Sequence, residues 1–369
     1  IAAPTVFLAG RAATVSAVGG SATNYTATLT MNSTDTQGTM DISIAFTDLS
    51  GNAGTIVTST TNSSSVLYDR QVPTLSAVTV STNNSNSLYA KEGDIITLSF
   101  TSSENLTSSP IVTIGGNAAT ESGSDASWTA TYLMVNGDNE GSVTFTVDFT
   151  DIAGNVGTQV TSLTSGSLIV YDESVPTLST VDLTSNNAED ANFSTIGDVI
   201  TLSITASENI QTPTIGIVGS AATIASGNNG ESVFTATYTM QSSDATTTDI
   251  SFTVDFQDLS SNAGTQVIAL VNDADGGVSF DKEAPSFTAV NGGTVSILSN
   301  NSESTLAKVG DIITVSLTSS EALMTGSDPT VTIAGNTATV TRNSTTSFTA
   351  VYTMSSSDAA YDGLSIPIN

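Results

Sequence analysis

The residues in this chain with the most chemistry in them are carboxylates that recur at fixed positions. An Asp-x-x-(Val/Ala)-Pro phrase occurs at Asp69, Asp172 and Asp281. A Gly-Asp phrase places Asp94, Asp198 and Asp311 at the head of apolar runs, and a Ser-Glu follows each at the same distance, giving Glu104, Glu208 and Glu321. A third phrase, Phe-x-Asp followed by Asn-x-Gly, places Asp151 with Asn155 and Asp258 with Asn262, with Asp48 and Asn52 as an earlier copy. Acidic and amide oxygens are the ligands that hard divalent cations take, calcium with six to eight of them from flexible loops and magnesium with a stricter octahedron. Read without a metal, the same Gly-Asp and Asp-x-x-Gly-Asn phrases are turn formers.

Other chemistry is excluded by absence. The 369 residues contain no Cys and no His. Disulfides, Cys/His zinc sites and acyl transfer through a Ser-His or Cys-His pair are therefore impossible. Six basic residues stand against 35 acidic ones, a formal net charge of -29. The six are scattered, so neither a nucleic-acid backbone nor an anionic membrane surface is an expected partner. No apolar run is long enough to span a bilayer. Paired carboxylates are compatible with glycoside hydrolysis. They recur with the repeats, however, and no unit carries unique residues or an aromatic-lined cleft, so no enzyme activity is expected.

The elements that must position these groups are strands. Val143, Phe145, Val147 and Phe149 alternate with Thr144, Thr146, Asp148 and Thr150, the period of an antiparallel sheet buried on one face. In 69–171 the pattern predicts strands over 75–82, 95–102, 111–114, 118–121, 127–134, 142–149 and 156–170, the last broken at Gly166. Seven short strands in about 100 residues indicate a sandwich, and the repeated phrases are about one sandwich apart. The expected architecture is all-β: tandem immunoglobulin-like seven-stranded antiparallel β-sandwiches in an elongated rod. Expected boundaries are 1–68 (the C-terminal part of a repeat), 69–171, 172–280, and 281–369 (the N-terminal part of a repeat), which implies a fragment of a longer protein.

Alternating strand direction sorts the acidic residues by pole. Glu104, Asp151, Asn155 and the linker residue Asp69 fall where the chain enters its sandwich; Asp94 falls at the far pole, facing the next junction. Three ligand sets follow. The first junction offers Asp69, Glu104, Asp151 and Asn155. The middle one offers Asp94, Asp172, Glu173, Glu208, Asp258 and Asn262. The last offers Asp198, Asp281, Glu283 and Glu321. Carboxylates crowded at one point repel one another unless a cation sits among them, so the expected cofactor is structural, inter-domain Ca2+. The segments 82–90 and 185–195 differ most between units. They are readable as recognition loops for glycans or neighbouring subunits, or as tolerated surface insertions.

The phrases Asp69-x-x-Val72-Pro73, Gly93-Asp94-Ile95-Ile96, Ser103-Glu104 and Asp151-x-Ala153-Gly154-Asn155, with their counterparts, cover essentially the whole chain. They resemble the tandem bacterial immunoglobulin-like (Big/Bap-type) repeats of giant surface adhesins and biofilm-associated proteins. The resemblance implies an extracellular, cell-surface stalk or filament segment, calcium-stiffened between units and serving adhesion or surface assembly. Its expected partners are Ca2+, neighbouring repeats, and other copies of itself or surface glycans. A glycan- or protein-binding module working through the variable loops, and a filament or surface-layer subunit assembled by strand complementation, remain open beside it. Departures from the pattern are Ser260-Ser261 in place of Ala-Gly and Leu49-Ser50-Gly51 in the first unit.

Overall fold

The computed structural model describes residues 2–273 and 276–358. Among these the chain is strand and loop, with two single 3-10 turns, Val18–Gly20 and Ala289–Asn291. No helix in it is long and apolar enough to cross a membrane.

The segment from Leu75 to Tyr171 shows how the alternation becomes a sandwich. In Ile95–Ser102, Ile96, Leu98 and Phe100 are buried while Thr97, Ser99 and Thr101 face outward. This strand lies between Leu75–Thr82 and Ser127–Leu133, and Thr120–Ser124 completes a four-stranded sheet. Ile111–Ile114 pairs with Asn117–Ala118 on one side and Phe145–Asp148 on the other. Their inner faces meet in one core of Val78, Leu98, Val112, Ile114, Trp128, Phe145 and Val147, among others. First, second, fifth and fourth strands in one sheet, with the third and sixth in the other, is the strand order of an immunoglobulin-like sandwich. At the edge, Tyr89–Ala90 runs parallel to Val170–Tyr171, which also pairs with Gly141–Ser142.

One predicted strand is mostly absent. The stretch 156–170 makes only the bridges Thr150↔Val156 and Val147↔Val160 before Val170–Tyr171. Two contacts divert it. The Phe149 ring lies against Gly157, where a Cβ would sit 2.2 Å from it. Farther on, the Thr164 N–H donates to the Val78 carbonyl of the opposite sheet, 3.0 Å away. The chain is crossing between sheets there and cannot extend either one.

By contacts the chain divides into two compact units, Ile1–Asn186 with Val199–Tyr238 and Ile250–Gly277, and Asn187–Asp198 with Thr239–Asp249 and Val278–Asn369. The first unit also holds the sheet of Leu178–Ser185, Val199–Ile210, Glu231–Thr239 and Thr223–Ser226, in that order reproducing the four-stranded sheet above. Its early strands pair as Thr5–Leu8 with Ile42–Ala45 and Thr14–Ala17 with Tyr25–Thr28. The second unit contains Thr294–Ser299, Ile312–Thr318, Ser347–Thr353 and Thr339–Arg342 in the same sheet order. They pack on a core that includes Ile313, Val315, Val331, Ile333 and Phe348.

Candidate metal centres

The smallest part of each candidate site is the Asp-x-x-x-Asn turn. Asp151 accepts the Asn155 backbone N–H on Oδ1 (2.8 Å) and the Asn155 side-chain amide on Oδ2 (2.7 Å). Asp258 and Asn262 repeat this at 2.8 Å for both bonds, and so do Asp48 and Asn52. The asparagine thus fixes the aspartate with its nitrogen donors. Asn262 also donates to the Asp172 carbonyl, 2.8 Å away, tying the linker to the turn.

The glutamate arrives on the neighbouring segment. Leu106 bridges Asp151 and Ile210 bridges Asp258, which brings the segment carrying each glutamate beside the turn. The serine of each Ser-Glu phrase then clamps the linker. The Ser103 hydroxyl accepts the Thr74 N–H (3.0 Å) while the Ser103 N–H donates to the Thr74 carbonyl (2.8 Å). Ser207 with Thr177 and Ser320 with Ser286 make the same pair of bonds. Each linker aspartate is also turned locally: Oδ1 of Asp69, Asp172 and Asp281 accepts the N–H two residues ahead. This serine clamp was not anticipated from the sequence, although its signal, a serine before every one of the three glutamates, is there.

These bonds bring Asp69, Glu104 and Asp151 together, each with a carboxylate oxygen within 4.8 Å of the others. Asp172, Glu208 and Asp258 form a second triad by the same criterion. Both Asp151 and Asp258 are buried. Among the described residues Arg11 pairs with Asp35 and Arg342 with Asp328, and neither ion pair involves a triad. The electrostatic result is uniform. Burial, then the charges of Asp69 and Asp151, holds the Glu104 carboxyl above its ordinary range. Burial followed by Asp172, Asp258 and Glu140 does so for Glu208. Asp172 is also raised, chiefly by burial and further by Asp258 and Glu140. Oε1 of Glu104 is buried without a hydrogen-bond partner.

The remaining expected ligands are placed differently. Asp94 closes its own loop, Oδ2 accepting the Asn84 amide (2.7 Å) and the Lys91 N–H (2.8 Å). Asp198 does the same with Asn187 and Thr195. The repeated Gly-Asp phrase therefore encodes a loop closure, and neither residue enters an acidic triad. Glu173 turns back to accept the Gly137 N–H (2.9 Å), with the Tyr171 hydroxyl 3.0 Å from the same oxygen. At the third position burial, then Asp281 and Glu283, raises the Glu321 carboxyl, and Glu321 Oε1 is buried without a hydrogen-bond partner. No third triad forms among the described residues.

One acidic group was missed. Glu140 accepts the Ser174 hydroxyl (2.9 Å) and the Glu173 N–H (3.2 Å), and its charge reaches both Asp172 and Glu208. Its counterpart in the first unit is Gln37, so a search for recurring phrases passes over it.

Three oxygens within 4.8 Å of one another fit around a cation that takes carboxylates at roughly 2.3–2.6 Å, and an unpartnered buried carboxylate oxygen is the kind of group such an ion satisfies.

The chain matches no protein-family profile and no curated protein. Among solved structures it is similar to the I9–I11 tandem of titin, at 9% identity over 74% of this chain and 87% of that one, with a TM-score of 0.25. It is also similar to the SGBP-B protein of the Bacteroides ovatus mixed-linkage glucan utilization locus, solved with a mixed-linkage heptasaccharide. That likeness is 14% identical, covers 96% of this chain and 82% of that one, and has a TM-score of 0.18. Neither likeness carries a function across, and the immunoglobulin-like character of this chain rests on its own strand order.

Proposed function

We propose that this chain is a structural spacer or filament segment of a secreted bacterial cell-surface protein, with Ca2+ held where successive immunoglobulin-like repeats join. The observation that supports it is the recurrence of one assembly, a linker aspartate, a strand-end glutamate and a turn aspartate, at Asp69/Glu104/Asp151 and at Asp172/Glu208/Asp258. An ion there would tie each linker to the sandwich that follows it. Because it binds the ordered junction and not the unfolded chain, it would add stability as well as stiffness. Backbone carbonyls and water would complete a shell of six to eight oxygens.

Isothermal titration of the chelator-treated chain with calcium tests this. Binding is expected, with Glu104→Gln and Glu208→Gln each removing about one site's worth of heat and melting near the parent without ion. Absence of calcium binding, or binding unaffected by both substitutions, would overturn the reading.

A further inference from the structure

The turn Asp-x-x-x-Asn is built alike in three places, yet its surroundings differ. Ser50 and Ala153, at the position of Ser260, are exposed, whereas Ser260 is 0% exposed in the turn Asp258–Asn262, and Leu259 is half-buried where Leu49 and Ile152 are exposed. What covers that last turn is the loop between Thr82 and Asp94 of the preceding repeat. The Asn84 side-chain amide donates to the Ser260 carbonyl (2.9 Å), Asn86 to the Leu259 carbonyl (3.2 Å), and the Lys91 ammonium to the Ser261 carbonyl (2.5 Å). The Ser85 and Ser261 hydroxyls lie 3.2 Å apart.

We infer that this loop is a docking surface for the Asp-x-x-x-Asn turn of the repeat that follows, a direct protein latch that closes the junction without an ion. Its donors are aimed before docking. Asn84 spends one amide hydrogen on Asp94, Asn83 accepts the Ile95 N–H (2.7 Å), and Asp94 holds the Lys91 backbone. The loop at Asn300–Asp311 has the same three bonds: Asn301 to Asp311 at 2.7 Å, the Lys308 N–H to Asp311 at 2.8 Å, and the Ile312 N–H to Asn300 at 2.8 Å. All three bonds of that second loop are made within its own repeat, so the shape belongs to the loop itself. Three of the four contacts of the docked loop are donors meeting outward carbonyls, and the turn supplies these because its own aspartate and asparagine consume each other's polar groups. The cation is not part of this latch, so it stands or falls apart from the calcium reading.

The chain has no cysteine, which makes a cross-link test clean. In the full chain carrying Ser85→Cys and Ser261→Cys, the two sulfurs would start near bonding range. A disulfide is expected to form under mild oxidation at similar rates with calcium and with chelator. Adding Asn84→Ala and Lys91→Ala should slow its formation at least about tenfold, while melting temperature and circular dichroism confirm that each variant is folded. Failure of the folded pair to cross-link, cross-linking only with calcium, or a rate unchanged by the two alanines would each overturn the latch.

Discussion

At the residue scale the chain gathers like charges, and among the described residues no ion pair neutralises either triad. The raised Glu104, Glu208 and Glu321 carboxyls set the sign of the pH dependence. A carboxyl whose folded pKa lies above its unfolded value binds more protons in the native state, so its contribution is full below the ordinary glutamate value of 4.5 and is lost as pH rises through the raised one. In chelator-treated protein, replacing Glu104, Glu208 and Glu321 by Gln should therefore remove a component of the melting temperature that is higher just below that window than above it. Calcium bound as proposed would compete with those protons, so the stabilisation it adds is expected to grow over the same interval. Thermal melts across the window, with and without calcium, check both slopes. The turn has its own cost: Asn155→Ala removes a side-chain bond to a buried carboxylate and should destabilise by about 1–3 kcal/mol in denaturant titration. Sequence pattern revealed which aspartates recur but not how each is used. Asp94 and Asp151 both follow repeated phrases, and only the folded loop shows that the Asp94 carboxylate is taken by Asn84 and Lys91 while Asp151 faces Glu104.

At the element scale the design depends on small contacts between segments. Strands 95–102 and 111–114 were legible to the residue because one buried face imposes strict alternation on them, and 75–82 was legible from its valines and threonines although a bulge at Ala77 breaks its alternation. The stretch 156–170 was not, because its valines and threonines carry strand propensity through a crossover that tertiary contacts dictate. The glycine that begins it is testable. Gly157→Ala sets a Cβ against the Phe149 ring, an overpacking of a kind that costs about 1–3 kcal/mol; unfolding midpoints in urea measure it. The same pair recurs as Gly264 with Phe256 and Gly54 with Phe46. The serine clamp makes a different prediction. Ser103→Ala loses the bond that fixes Thr74, so calcium affinity at Asp69/Glu104/Asp151 should fall severalfold while the unfolding midpoint without ion shifts by about 1 kcal/mol or less of stability. Calorimetry beside chemical denaturation separates the two effects.

At the scale of the whole molecule the two triads are embedded in unlike surroundings. Asp172/Glu208/Asp258 has Glu140 beside it and the docked loop above it, and at the position of Glu140 the preceding repeat carries the uncharged Gln37. Removing calcium should thus expose the linker 69–73 to protease sooner than the linker 172–176, which a time course of limited proteolysis with mapped cleavage sites would show. The net charge of -29 adds a diffuse self-repulsion that monovalent salt screens. Moderate salt should raise the melting temperature of the chelated chain more than that of the calcium-loaded one.

The parallel pairing of Tyr89–Ala90 with Val170–Tyr171 has a mechanical consequence. The Val170 N–H donates to the Leu88 carbonyl and the Asp172 N–H to the Ala90 carbonyl. If tension entered at Leu75 and left through Asp172 along the strands, those bonds would lie across the line of pull. Neighbouring bonds loaded in shear share a load and must break together instead of peeling open one at a time. Resistance to stretching would then reside in this short edge of the sandwich, at the place where the chain passes to its next repeat.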